Sequence, residues 1–209
     1  MRTFPDIRMR GLVAGAQRAQ DFLDRGNYRE ARDAFAEMRA RGRKLGFDSA
    51  YLAWGVAVAT DYLGELEMAF TTIWESVAKD PLNPAAQRSF EIIADHIRSS
   101  LADASRAPDD PSTPRLYRLL LEAGEADVAS HLAMARHLAH AGEHEAALRI
   151  VDAVTLLAPA SRDAWLQKAA FARAAGEDSV ADECEAQAAT LATTSVPFGI
   201  PAVGGAASA

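Results

Sequence analysis

Four segments of this 209-residue chain line up on a glycine: DRGNYREARDAF on Gly26, YLGELEMAFTTI on Gly64, HAGEHEAALRIV on Gly142 and AAGEDSVADECE on Gly176. Five residues after each glycine stands an alanine, Ala31, Ala69, Ala147 and Ala181, and four residues further the first three segments carry Phe35, Ile73 and Val151. Gly142 and Gly176 are 34 residues apart, and two segments end on a proline at the same distance, Pro81 and Pro159. Each letter has a physical reason. A glycine ends one helix because it accepts left-handed backbone without steric cost. An alanine five residues on lets two helices cross closely, the bulky residue one turn later fills the space beside that crossing, and the proline stops the second helix. A unit built this way cannot bury its apolar face alone, so neighbours must stack on it.

Alternating β-branched runs are missing, while Ala, Leu, Arg and Glu recur at helical spacing, so the chain is expected to be all-α. Turn signals cut it into about ten helices, near 9–25, 28–43, 48–63, 65–79, 85–104, 113–123, 126–140, 143–157, 161–175 and 177–191. The recurring glycine, alanine and proline resemble the tetratricopeptide repeat (TPR) family. TDYLGELEMAFTTIWESVAKDPLNP is the best single stretch, and Trp165, eleven residues before Gly176, fits the family's aromatic near the start of a first helix. The resemblance implies a right-handed α-solenoid of antiparallel helix pairs, with units near 12–45, 50–84, 85–127, 128–161 and 162–191. Residues 1–8 then form an N-terminal extension and 192–209 a tail.

The chain also departs from the pattern. Gly64 and Gly142 are 78 residues apart, ten more than two units, so the middle pair is degenerate. Its first helix carries Phe90, Ile93, Ile97 and Leu101 on one stripe, followed by the loop RAPDDPSTP and a short helix. In the last unit Glu185 stands where Phe35 stands in the first. That helix keeps Val180, Cys184, Ala188 and Leu191 on one stripe against Asp182, Glu183 and Glu185, the pattern of a solubilising cap. After Leu191 the chain is rich in Pro, Gly, Ala and Ser and carries no charge, which predicts a flexible terminus. Its VPFGIPAV, with Val196, Phe198, Ile200 and Val203, also suits an extended segment lying in a groove of this or another copy.

Composition excludes several classes. A net charge of -7 disfavours nucleic acid as partner, no run approaches a membrane span, and one cysteine cannot make an internal disulfide, so a cytoplasmic protein is expected. Charge is uneven: residues 1–50 hold 11 basic and 7 acidic side chains, net +4, and the other 159 hold 11 and 22, net -11. Much of the excess is RARGRK, Arg39 to Lys44. It either complements the negative end of its helix or faces an acidic partner, including a neighbouring copy.

The stretch HLAHAGEHE holds His137, His140, Glu143, His144 and Glu145, which invites a metal reading. The repeat register gives two of the histidines packing places instead: His144 matches Tyr28 and His131 matches Trp165. No paired CxxC or HExxH spacing is present, so neither metal nor cofactor is expected. GxGxxG, GxxxxGK[ST] and GxSxG are also missing, and Cys184 lies on an inner stripe, so the expectation is no enzyme.

What remains is a surface. In the TPR family the first helices of successive units line a concave groove for a peptide. Carried over by alignment, the resemblance places Tyr51, Trp54, Val58, Asp61 and Tyr62 there in the second unit, Gln20 and Asp24 in the first, Arg136 and His140 in the third and Arg173 in the fourth. The 3, 4 and 4 spacing from Tyr51 is one helical face. A one-residue slip turns Trp54 into the core instead. Ala16, Gln20, Gly55, Ala129 and Ala133 stand where one subset of the family carries Lys, Asn and Arg to grip a terminal carboxylate, so that ligand is not implied. The expected role is a non-catalytic adaptor binding a peptide or partner protein. The alternative is a self-assembling scaffold whose apolar tail or basic first helix pair docks on another copy.

Overall fold

The first helices that follow Ser49, Asn83, Asp127 and Ser161 begin on a side-chain cap, and the second helices that follow Gly26, Gly64, Gly142 and Gly176 begin straight after a tight glycine turn, an alternation that sets the architecture. The computed structural model describes residues 7–103 and 107–194. Among them are ten α-helices and no strand: α1 (Ile7–Asp24), α2 (Tyr28–Lys44), α3 (Ala50–Tyr62), α4 (Leu66–Lys79), α5 (Pro84–Ala102), α6 (Thr113–Ala123), α7 (Val128–His140), α8 (His144–Leu157), α9 (Arg162–Ala174) and α10 (Asp178–Thr194). No described helix is long and apolar enough to cross a membrane. The helix boundaries lie within a few residues of those read from the sequence. α10 runs to Thr194, and the proposed groove-binding residues Val196, Phe198, Ile200 and Val203 lie outside the described residues.

The caps follow from the residues just before each first helix. Ser49 accepts a hydrogen bond from the Leu52 N–H at 3.4 Å and Ser161 one from the Ala164 N–H at 3.3 Å. Asn83 accepts from Ala85 and Ala86 at 3.0 and 3.2 Å, with Pro84 opening the helix where a missing N–H costs nothing. Asp127 accepts from the Ser130 N–H at 2.8 Å at the start of α7. At the other end of α1, α3, α7 and α9 the chain reverses on glycine. Gly64 has φ +77°, and the Glu65 N–H reaches back to the Thr60 carbonyl at 3.2 Å, which satisfies an otherwise orphaned acceptor.

The helices gather into two compact units, residues 1–137 and 138–209, with the boundary inside α7. In the first unit α2 packs between α1 and α3, and α4 against α3 and α5. Ala31, Phe35, Ala69 and Ile73 are all fully buried, as the repeat register requires. The degenerate middle pair keeps the same logic, since α6 packs on both α4 and α5. Ile93, Ile97 and Leu101 of α5 bury against Phe70, Ile73, Leu116 and Leu120, with Phe90 at the margin.

The second unit packs α9 against α8 and α10. Val151, Val154, Phe171, Ala181, Cys184 and Ala188 are buried there. Gln167 and Val180 are only half-buried, and Asp182, Glu183 and Glu185 stay in water, so α10 carries one apolar stripe and one acidic face. Both units are therefore TPR-like helix-pair repeats.

Candidate functional site

The first helices α1, α3 and α5 are tied side by side through their side chains. On one flank the Tyr51 hydroxyl donates to Gln20 Oε1 at 2.9 Å, and Gln20 Nε2 donates to Asp24 at 2.8 Å. On the other flank Trp54 Nε1 donates to Ser89 Oγ at 3.0 Å. About two turns further along α3, the Asp61 carboxylate lies 2.9 and 3.0 Å from His96 Nδ1. A carboxylate only accepts, so Nδ1 is the protonated nitrogen and donates. The Asp61 side chain is 7% exposed and His96 is 53% exposed, which makes the aspartate the anchor and the histidine the outward group.

Between these two rungs lie apolar side chains. Val58 sits between Trp54 and Asp61 on α3, and Ile92 sits three residues after Ser89 and four before His96, on the same face of α5. Ile92 is 46% exposed and Tyr51 41%. Tyr51 stacks on Trp54 with ring centroids 5.6 Å apart and sets its edge against the buried Phe35 at 5.8 Å. Trp54 is half-buried against the core cluster. The question of groove or core thus has a mixed answer: Tyr51 shows a ring to solvent while Trp54 joins core to surface. Burial, with Asp24 nearby, pushes the Tyr51 phenol up, so it is a neutral donor at physiological pH. The result is an apolar strip of Tyr51, Trp54, Val58 and Ile92 whose neighbouring polar groups are already paired with one another.

Other candidate residues are placed apart from this strip. Tyr62 stacks flat on Tyr28, the first residue of α2, at 4.3 Å and 5°, which puts it at the turn end of the pair. Arg136 lines a hollow of about 250 Å³ with Leu101, Asp103, Pro108 and Thr113. In the second unit His140 is exposed at the end of α7. Arg173 is held by Asp182 at 3.1 Å and by Glu185, and these carboxylates raise its pKa. The acid that replaces the Phe35-type residue thus holds a cation of the preceding helix.

Sequence reasoning missed Ser89, Ile92 and His96. Their signal was an offset of 35 residues from Trp54 and Asp61, one repeat on, obscured because the middle pair breaks the glycine register. The basic run also has a use that spacing alone does not show. Arg39 and Arg43 reach Glu75 of α4 and Asp48 of the α2–α3 loop, and Lys79 joins Asp48 at 2.8 Å. These cations tie α2 to α4 rather than capping the carbonyls of their own helix.

His131 and His137, like His96, have partners of their own, whereas the buried Nδ1 of His144 has no hydrogen-bond partner. His131 Nδ1 is 2.7 Å from the Tyr117 hydroxyl, with its pKa lowered by burial, and His137 Nδ1 donates to the Pro108 carbonyl at 2.8 Å. Among the described residues no three His, Cys, Asp or Glu side chains converge as metal ligands. Cys184 is buried, and burial pushes its thiol up, away from nucleophilic thiolate. A larger open hollow of about 640 Å³ lies between the start of α4 and the late start of α6, lined by Leu66, Met68 and Leu116. It carries no aromatic ring, and its glutamates Glu65 and Glu67 are occupied by Arg32 and Arg115, so the α1–α3–α5 face has the stronger recognition chemistry.

No family model matches the chain, and no curated protein matches its sequence. Among solved structures, several of MamA are similar to it in fold at low sequence identity. The structure MamA AMB-1 P212121 is 15% identical over 89% of this chain and 94% of that one, with a TM-score of 0.46. MamA MSR-1 C2 is 16% identical over 88% and 98%, with a TM-score of 0.42. MamA 41-end from Desulfovibrio magneticus RS-1 is 14% identical over 88% and 96%, with a TM-score of 0.41.

Proposed function

We propose that this chain is a non-catalytic adaptor of the TPR family whose α1–α3–α5 face binds a peptide or a partner protein. The observation that carries the reading is the apolar strip of exposed Tyr51 and Ile92 and half-buried Trp54 and Val58, set beside the Trp54–Ser89 and Asp61–His96 hydrogen bonds. Aromatic side chains braced from behind are the usual anchors of a binding hot spot, because little conformational entropy remains to be lost on contact. Asp61 acts here as the anchor of His96, which offers its Nε2 to a ligand. Tyr62 extends the aromatic surface at the turn end. Arg136 and, in the second unit, His140 and Arg173 are polar contacts of their own surroundings, Arg173 only by exchanging its carboxylate partners. We place the protein in the cytoplasm and assign it no cofactor, metal or nucleic acid.

The test is affinity capture from the native host with the wild-type chain and with Trp54→Ala and Tyr62→Ala, compared by mass spectrometry. Specific partners are expected to be recovered by the wild type and lost with Trp54→Ala at unchanged helical circular dichroism. Equal recovery by both variants ends this site assignment.

A further inference from the structure

The polar groups beside the strip use their hydrogens on one another and leave acceptors open. The Tyr51 hydroxyl donates to Gln20, Trp54 Nε1 to Ser89 and His96 Nδ1 to Asp61. A phenol, an indole and a neutral imidazole each carry a single such hydrogen, so what these three still offer is the Tyr51 oxygen, the ring faces and the His96 Nε2 lone pair. The donors that remain, the second amide hydrogen of Gln20 and the Ser89 hydroxyl, are neutral. Asp24 adds a carboxylate. Its partner is the uncharged Gln20 amide. Burial first and then Asp24 raise the Tyr51 pKa, which places that carboxylate near the exposed ring. α3 carries no lysine or arginine, and although Arg25 and Arg88 stand next to Asp24 and Ser89 in sequence, neither pairs with Asp24 or Asp61. Around α4 the reverse holds, since Asp48, Glu65, Glu67 and Glu75 are each held by an arginine or a lysine.

We propose that this face takes a basic segment of a partner protein, with an arginine or lysine over the Tyr51 ring beside Asp24, an aliphatic side chain on Val58 and Ile92, and a hydroxyl or amide donor at His96 Nε2. The inference rests on the reading of that face as a binding surface and names the chemistry of its ligand. A cation within about 6 Å of an aromatic ring is attracted to its face, and Asp24 supplies a charge to pair with it. An acidic segment would meet lone pairs and like charge instead, and would give up its hydration for neutral donors alone. The length also fits. Tyr51 and Asp61 are ten residues apart on α3, a rise of about 15 Å, which about five residues of extended backbone span. All of these groups lie within the first compact unit.

The experiment presents a degenerate library of octapeptides, acetylated and amidated so that no terminal charge competes, to the immobilised full-length protein. It runs at about pH 8 and about 0.15 M salt, where imidazoles are neutral and the long-range field of the net charge of -7 is screened. Retained peptides are sequenced by mass spectrometry. Arginine and lysine are expected at least about threefold above the input pool, and aspartate and glutamate below it. Asp24→Asn is expected to remove most of that preference while apolar enrichment stays. Glu30→Gln, which deletes the same charge at an exposed place on α2, is expected to leave it intact. No basic enrichment, no change with Asp24→Asn, or an equal loss with Glu30→Gln overturns the proposal. Should peptides be retained without charge preference yet be lost with Trp54→Ala, the binding face stands and its assigned chemistry falls. Retention unaffected by Trp54→Ala ends the face itself, so the two failures are distinguishable.

Discussion

Phe35 and Glu185 hold the same place in two helix pairs, nine residues after the turn glycine, yet one is fully buried and the other keeps 45% of its side chain in water. The difference lies in what packs over them. α3 crosses α2 with the backbone of Gly55 against the Phe35 ring, so a large flat side chain fills the crossing. Among the described residues no helix follows α10, and there a carboxylate serves better, since it meets water and holds Arg173 across to α9. The identity of this repeat position is therefore set by the next pair rather than by its own helix.

Phe35→Ala breaks the comparison hardest. It empties a fully buried site and should cost about 3–5 kcal/mol of stability in urea unfolding. Glu185→Ala, at the equivalent place, should leave the urea midpoint where it is. A midpoint shift for Glu185→Ala as large as that for Phe35→Ala would show that α10 is covered in solution.

Gly55→Ala sharpens the same point from the other side of the contact. A Cβ on Gly55 would lie 2.6 Å from the Phe35 ring, so one methyl group forces the ring or the helix to move, at roughly 1–3 kcal/mol. On α1, Gly11 has no atom within 4 Å of an added Cβ. Gly11→Ala should instead stabilise by about 0.5–1 kcal/mol through helix propensity. Opposite signs for one substitution in two helices, read by thermal unfolding, would establish that packing against the next pair governs the site. Equal signs would refute it.

Most of the architecture was legible because its signals are local. Each turn glycine lies next to the helix it ends, as at Gly64, and each cap lies next to the helix it starts, as at Asn83. The candidate site was legible only in half. The α3 residues share one face by their own spacing, but Ser89, Ile92 and His96 join them from 35 residues away, and no local pattern announces a cross-helix hydrogen bond. The same reason hides the partners of Arg39 and Arg43. A cation near a helix end reads as a dipole complement until the position of Glu75 on another helix is known.

That ion network gives the last and smallest effect. Lys79, then Arg43 and Arg39, hold the Asp48 carboxyl below its ordinary range against the cost of its burial. For Glu75 burial acts upward, but Arg39, Lys79 and Arg43 outweigh it and the net shift is down. A carboxyl with a lowered folded-state pKa stabilises fully above its unfolded-state pKa and loses that contribution as pH falls through the folded value. The unfolded chain takes up these protons first, near pH 4, so stability should decline as pH drops below about 5. Glu75→Gln combined with Asp48→Asn should flatten that decline in thermal unfolding scans at low salt, with little change of slope above pH 6. Both groups are a third or more exposed, so the effect should be modest and should shrink with added salt. Glu185 is likewise held low by Arg173, but in open solvent. Glu185→Gln should leave the acid slope close to wild type, and a larger flattening from it than from the α2–α4 pair would reverse the ranking of the two ends of the repeat.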